Sequence, residues 1–211
     1  MIPETHPIRR VEAPLPYGAD LERWKTAKCL DQFVRPWNLG APVPRTEFRA
    51  VTHDETFAFR FDVTDNALVL AEGETEPDRV LGSDRAELFL STTPELSTYY
   101  CLEIDPRGNL LDYCAEHYRQ MDWSWSMPEL SIDTEITRDG YRVEGRIPMP
   151  VLEQLGVIQA DGSLIAGVFR ANFSLSPTGE TLQDWMPWID PKTDTPDFHV
   201  PEAFGRLILE V

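Results

Sequence analysis

Hydrophobic and polar residues alternate through much of the chain with a period of two, the spacing of a strand that buries one of its faces. Phe57, Phe59, Phe61 and Val63 fall on one side of a segment whose other side carries Arg60 and Asp62, and a second strand, Thr46 to His53, precedes it. Ala86, Leu88 and Leu90 alternate with Arg85, Glu87 and Phe89, and Tyr141, Val143, Gly145 and Ile147 alternate with Arg142, Glu144 and Arg146. Further on, Ile165, Phe169, Phe173 and Leu175 oppose Arg170, Asn172 and Ser174. Shorter strand signals lie near Ser131 to Thr137 and from Arg206 to Val211. Asp105-Pro106-Arg107-Gly108, with proline second and glycine fourth, predicts a type I turn between Thr98–Asp105 and Asn109–Glu116. If apolar positions share a face, Tyr100, Leu102 and Ile104 sit with Leu111, Tyr113 and Ala115, leaving Glu103 beside Asp112. Cys101 and Cys114 then become diagonal neighbours, read as two reduced thiols.

Helix signals are few. Asp20 to Ala27 predicts a short helix capped by Asp20, and Pro150 to Leu155 another, ended by Gly156. Residues 71–79 read as an acidic loop, and the proline-rich first 45 residues as an extended segment packed on the rest. Repeated strands with one apolar and one mixed-charge face predict an all-β fold, an antiparallel β-sandwich with one or two short helices. The expected organisation is one domain over residues 1–211.

Composition narrows the function. A formal net charge of −17 on 211 residues repels phosphate backbones and anionic bilayers, so nucleic acid and membrane surfaces are poor partners. No run approaches the roughly 20 apolar residues of a membrane span. The start, Met1 to Pro7, has neither a basic head nor an apolar stretch, which makes the cytoplasm the expected location unless an export signal lies outside this sequence. Three cysteines without CxxC spacing favour neither a disulfide scaffold nor a zinc knuckle, and the four histidines lack HxxxH spacing. Calcium at the acidic loop is conceivable but has no EF-hand spacing behind it, so no metal ligand is assigned.

Charged strand faces have two readings. They can be cross-strand ion pairs on a solvated sheet, each contributing about 0–1 kcal/mol. They can equally be a sugar site, since arginine, carboxylate and amide groups give directional hydrogen bonds to hydroxyls while an indole stacks on the apolar face of a pyranose. Glu87 and Glu103 could also be paired as the two carboxylates of a glycan-active enzyme. Of Trp185 and Trp188, one is expected in the core, as is Trp24.

Several segments, in order and at matching spacing, resemble the family 9 carbohydrate-binding modules, β-sandwiches of the DOMON-like type. They are Ser83-Asp84-Arg85-Ala86-Glu87, Tyr100 to Gly108, Gly140-Tyr141-Arg142-Val143-Glu144 with Ile147-Pro148, Trp188-Ile189-Asp190-Pro191, and Phe204-Gly205. The resemblance implies a non-catalytic sugar-binding protein in which Trp188 stacks on a sugar ring. Arg85, Glu87, Glu103, Arg170 and Asn172 would bond its hydroxyls. The family's second tryptophan falls here at about Leu81, so Trp123, Trp125 or Trp37 is needed for the other wall, and Trp125 is taken as its candidate. Relatives of this type also include cofactor binders, which keeps a haem or protein-interaction role as a third alternative.

Overall fold

A computed structural model describes residues 4–10 and 24–209. The helix expected from Asp20 lies largely outside the described residues. Trp24, at its far end, is buried against Ala27, Val51 and Ala58.

Among the described residues twelve strands form two sheets. One has the order β8 (Ser131–Thr137), β9 (Gly140–Pro148), β3 (Thr56–Thr64) and β2 (Thr46–His53). The other runs β7 (Gln120–Asp122), β6 (Leu110–Glu116), β5 (Tyr99–Ile104), β4 (Arg85–Ser91), β10 (Ser163–Leu175) and β12 (Gly205–Leu209). β11 (Thr181–Pro187) pairs with the second half of β10, on the edge whose first half takes β12. β1 (Thr5–Arg10) runs parallel to β12 and then, at Arg9 and Arg10, to β2, so it passes from one sheet to the other. The result is the expected sandwich.

The phenylalanines of β3 and the apolar side of β9 face Ala86, Leu88 and Leu90 of β4, Leu102 and Ile104 of β5, and Ala166 and Val168 of β10. Glycine makes this packing tight at two points. A Cβ on Gly145 would meet the Phe59 ring at 2.1 Å, and one on Gly205 would meet the Trp188 ring at 2.6 Å. A short helix, Met149–Gln154, follows β9 as expected.

Three expectations fail, and for related reasons. β5 and β6 pair as Ile104↔Leu110, Leu102↔Asp112 and Cys101↔Tyr113, so Tyr113 and Leu111 share the face of Glu103, not that of Leu102. Cys101 and Cys114 therefore lie on opposite faces, and both are free thiols. β10 is inverted too: Phe169 pairs with Glu87 and shares its face, while Arg170 points into the sandwich. The common cause is that the far side of the second sheet is not solvated. Phe198, Ala203 and Phe204, from the segment before β12, lie over Phe89, Tyr99, Tyr113 and Phe169 and bury a second apolar cluster there. With both faces apolar, alternation no longer says which is which.

The acidic stretch 71–79 is also not all loop. Thr75 and Asp78 form a capping box, each side chain bonding the other's backbone, and open the helix Glu76–Leu81. That helix delivers Leu81 to the rim of a cavity.

Candidate binding site

The mixed-charge strand faces divide between two surfaces. On the outside of the β2–β3–β9–β8 sheet, Arg60 bonds Asp62 and Glu144 (2.6 and 3.0 Å), Arg49 bonds Glu47 (3.0 Å), and Arg142 bonds Asp133 (2.8 Å). Two of these pairs cross strands, as the simpler reading foresaw, and two run along one strand; Arg49, Arg60, Arg142 and Glu144 are buried rather than solvated.

On the outer face of the second sheet lies a cavity of about 610 Å³. Adjacent strands build its floor: Arg85 and Glu87 from β4, Glu103 from β5 and Tyr113 from β6. Arg85 donates its single Nε–H to Glu103 Oε2 at 2.7 Å, and the Tyr113 hydroxyl donates to Glu103 Oε1 at 2.9 Å. Glu87 Oε1 is 2.9 Å from the same Arg85 nitrogen but off the N–H direction, so that buried oxygen makes no hydrogen bond. Glu87 is only 2 % exposed. Its removal from water, reinforced by the neighbouring Glu103 charge and opposed by Arg85, raises its pKa above the usual carboxylate range. Burial, with the nearby Cys101 and Glu103, likewise pushes the Tyr113 phenol far up, so it remains a donor.

The walls are aromatic. The guanidinium carbon of Arg85 lies 5.1 Å from the Trp185 ring and 5.7 Å from Phe173, within cation–π range. Trp185 is set edge-on by Phe173 and Phe198, at 5.5 and 5.7 Å. Trp123 rests on Tyr113 at 4.6 Å and is 59 % exposed. Asp122 fixes the loop that carries it, accepting from Ser124 N at 2.9 Å and Ser124 Oγ at 2.6 Å.

Asp197 closes the rim. It accepts from the Tyr118 hydroxyl, from Arg119 at 3.1 Å and from the His199 amide at 2.9 Å, tying the loop before β7 to the segment before β12. His199 stacks near Tyr113 and bonds the Tyr99 hydroxyl through Nδ1 at 3.0 Å. Burial holds its pKa down at about 4, the Arg119 charge adding to the effect and Asp197 opposing it. Gln183 adds an amide to the same wall.

Of the site residues expected from sequence, Arg85, Glu87 and Glu103 meet at this floor; the other four do not. Trp188 is 5 % exposed, sealed in the inter-sheet core against Gly205. Its edge lines a separate cleft of about 170 Å³ beside His6 and Asp31. Arg170 is fully buried between the sheets, donating to Thr46 Oγ1 (3.1 Å), Thr64 O (3.2 Å), Asp65 Oδ2 (2.8 Å) and Asn172 Oδ1. Asn172 is thereby spent as a partner of Arg170. Trp125 lies tilted against Tyr100, ring centres 4.8 Å apart, and packs against the inter-sheet core. The Trp185/Trp188 pair does split between cavity and core, in the opposite sense to the one assigned. Trp123, named among the candidates for the second wall, stands at the cavity; Trp37 braces Phe198 from behind and bonds Thr193 O at 2.8 Å.

The missed lining residues include Tyr113, Arg119, Gln183, Trp185, Asp197, Phe198 and His199. For Trp185 a signal existed: on a strand ending at Pro187 it shares a face with Gln183, opposite the core-facing Met186. Tyr113 lies on β6, on the opposite face from the one expected, and Gln183 on β11; Arg119, Asp197, Phe198 and His199 come from loops, where periodicity carries no information.

Both Glu103 oxygens accept hydrogen bonds, and the buried Glu87 carboxyl beside them has its pKa pushed up. Among the described residues no cluster of three or more His, Cys, Asp or Glu side chains could hold a metal ion, and no helix is long and apolar enough to cross a membrane.

Comparison with other proteins agrees with this architecture. Residues 18–211 match the model of the family described as carbohydrate family 9 binding domain-like. A Bacteroides uniformis protein, provisionally described as carbohydrate-binding, superposes with a TM-score of 0.76 at 17% identity, covering 98% of this chain and 99% of its own. A family 9 carbohydrate-binding module from Caldicellulosiruptor kristjanssonii superposes in its glucose complex with a TM-score of 0.63, and in its cellotriose complex with 0.65. Both are at 12% identity, covering 98% of this chain and 96% and 94% of theirs. No curated protein matches the chain in sequence.

Proposed function

The chain belongs to the carbohydrate family 9 binding domain-like family, and on that footing we propose that it binds carbohydrate, without catalysis, in the cavity between Trp123 and Trp185. The observation that carries this reading is the pairing of an aromatic wall with a floor of fixed hydrogen-bonding groups. Sugars need both: π-faces for their C–H surfaces, and directional donors and acceptors for their hydroxyls. Glu87 and Glu103 accept and Tyr113 and Arg85 donate from the floor, while Gln183, Arg119 and Asp197 stand at the sides. Most of these groups are already held by bonds to one another, so little ordering remains to oppose binding. Glucose and cellotriose, bound by the similar Caldicellulosiruptor module, are the natural first ligands to try.

Titration calorimetry against a panel of common hexoses and pentoses and their disaccharides tests the proposal. Heat is expected from at least one series, and Trp185→Ala should remove it while circular dichroism stays unchanged. Folded wild-type protein giving no heat with any saccharide overturns the proposal.

A further inference from the structure

We propose that Glu87 and Glu103 keep one proton between them on the floor of the cavity, and that saccharide binds only while that proton is in place, so that binding is switched off as the medium turns alkaline. The proposal rests on the carbohydrate reading above and adds the way in which that site is regulated.

Two carboxyls here share one cation. Glu87 and Glu103 are direct partners across β4 and β5, a position in which like charges repel. Arg85 offers them a single N–H. Its Nε is 2.7 Å from Glu103 Oε2 and 2.9 Å from Glu87 Oε1, and only the first contact is a hydrogen bond. Its Nη1 turns away to the carbonyls of Val80, Leu81 and Ser83, each at 3.4 Å. The other groups around the pair add no second positive charge. Burial keeps the Tyr113 phenol on β6 and the Cys101 thiol on β5 protonated and neutral. Phe169 on β10 and Trp185 on β11 carry no charge. Burial holds His199 neutral, and Arg119 is matched by Asp197 at the rim. Two ionised carboxylates would therefore leave a net negative charge on a floor where Glu87 is 2 % exposed and Glu103 4 %. One proton removes it. Removal from water first, and the Glu103 charge second, raise the pKa of Glu87 to about 8 against the pull of Arg85, which makes Glu87 the member that carries the proton.

The proton matters to a ligand because Glu87 lines the cavity, and its buried Oε1 has no hydrogen-bond partner among the described residues. A sugar laid over the floor displaces the water that remains there. A neutral carboxyl meets its hydroxyls as both donor and acceptor, as hydroxyls themselves do. An ionised one can only accept, and the sugar brings no cation to offset a charge that is then buried deeper. Binding and protonation thus favour each other, by the same factor in both directions.

Titration calorimetry of the full chain at pH 6.5, 8 and 9, with glucose and cellotriose first and then the rest of the panel, tests the proposal. Affinity should fall about ten-fold between pH 6.5 and 9, the loss expected when binding requires one proton that leaves near pH 8. At pH 8 binding should take up roughly half a proton, read as the slope of the binding enthalpy against the ionisation enthalpy of the buffer, and at pH 6.5 almost none. Glu87→Gln, which has no proton to lose, should bind equally at pH 6.5 and 9. Thermal melts at each pH confirm that both proteins are folded. Without ligand, the carboxyl carbon of Glu87 or of Glu103 in the isotopically labelled wild type should titrate near pH 8. Level wild-type affinity across the range, no buffer dependence at pH 8, a Glu87→Gln variant that keeps the alkaline loss, or both carboxyls titrating below pH 6 overturns this inference alone. Absence of binding by every saccharide at every pH overturns the carbohydrate reading and this inference with it.

Discussion

Replacing Arg170 separates its structural role from the ligand-binding role that its place in the sequence suggested. Its guanidinium crosses from β10 to the opposite sheet, where it donates to Thr46, the Thr64 carbonyl and Asp65, with no exposed surface of its own. Methionine would keep much of the volume and lose every donor. Asp65 would then remain as a nearly buried carboxylate whose cation is gone, the situation in which removing one member of a buried pair costs about 3–5 kcal/mol. With a urea dependence of about 3 kcal/mol per molar for a protein of this size, the unfolding midpoint should fall by roughly 1–1.7 M. Adding Asp65→Leu to Arg170→Met should recover a large part of the loss, because the stranded charge is then removed. Saccharide affinity of the folded single variant should stay within about two-fold of wild type. A midpoint shift below roughly 0.3 M, or a stable protein that has lost binding, would refute the strut and return Arg170 to the ligand.

Other expectations are open to direct measurement. His199 has a folded pKa of about 4, below its ordinary 6.5, so the unfolded chain binds the proton first; the stability linked to its neutral form is complete above 6.5 and lost as pH falls through 4. The unfolding free energy of wild type relative to His199→Phe should therefore drop by about 3 kcal/mol between those pH values and stay flat above them, and a level difference throughout would contradict the assignment. Glu87→Gln should bind saccharide within about three-fold of wild type at neutral pH, since glutamine copies a protonated carboxyl; a hundred-fold loss would mean the ionised form is the one that binds. Gly205→Ala should destabilise by roughly 1–3 kcal/mol, read from urea unfolding, because the new methyl displaces the Trp188 ring. Asp197→Ala should weaken binding by freeing both rim loops, visible as faster amide exchange around Tyr118 and His199; unchanged exchange would discount the latch.

The sandwich was legible wherever one face of a strand is plainly apolar. β3, β4 and β9 show this, and the alternation of Phe57 to Val63 corresponds to the buried side of β3. The floor of the site was legible for the same reason, since Arg85 and Glu87 stand out on β4, and Glu103 joins them through its pairing with Glu87. Parity misleads on β6 and β10, where a second apolar cluster covers the outer face. Nothing local reveals that Phe198 and Phe204 will fold back over Phe169 and Phe89, a contact made about thirty residues away from β10 and more than a hundred from β4. Arg170 then resembled a surface cation, although it has the hydrogen-bond partners of an interior one. The helix at Glu76 was available from its Thr75–Asp78 capping box, outweighed by the acidity of the stretch. Trp188 illustrates a different difficulty: a short motif shared with a family carries a position along the chain, but not the direction in which a ring points.

The cavity assignment is tested most directly by amide chemical-shift mapping of the isotopically labelled protein, titrated with the tightest-binding saccharide of the panel. The shifts should concentrate at Arg85–Glu87, Glu103, Arg119–Trp123, Gln183–Trp185 and Asp197–His199, and saturate with the calorimetric affinity. Saturating shifts centred instead on Arg49, Arg60 and Arg142, across the sandwich, would contradict it.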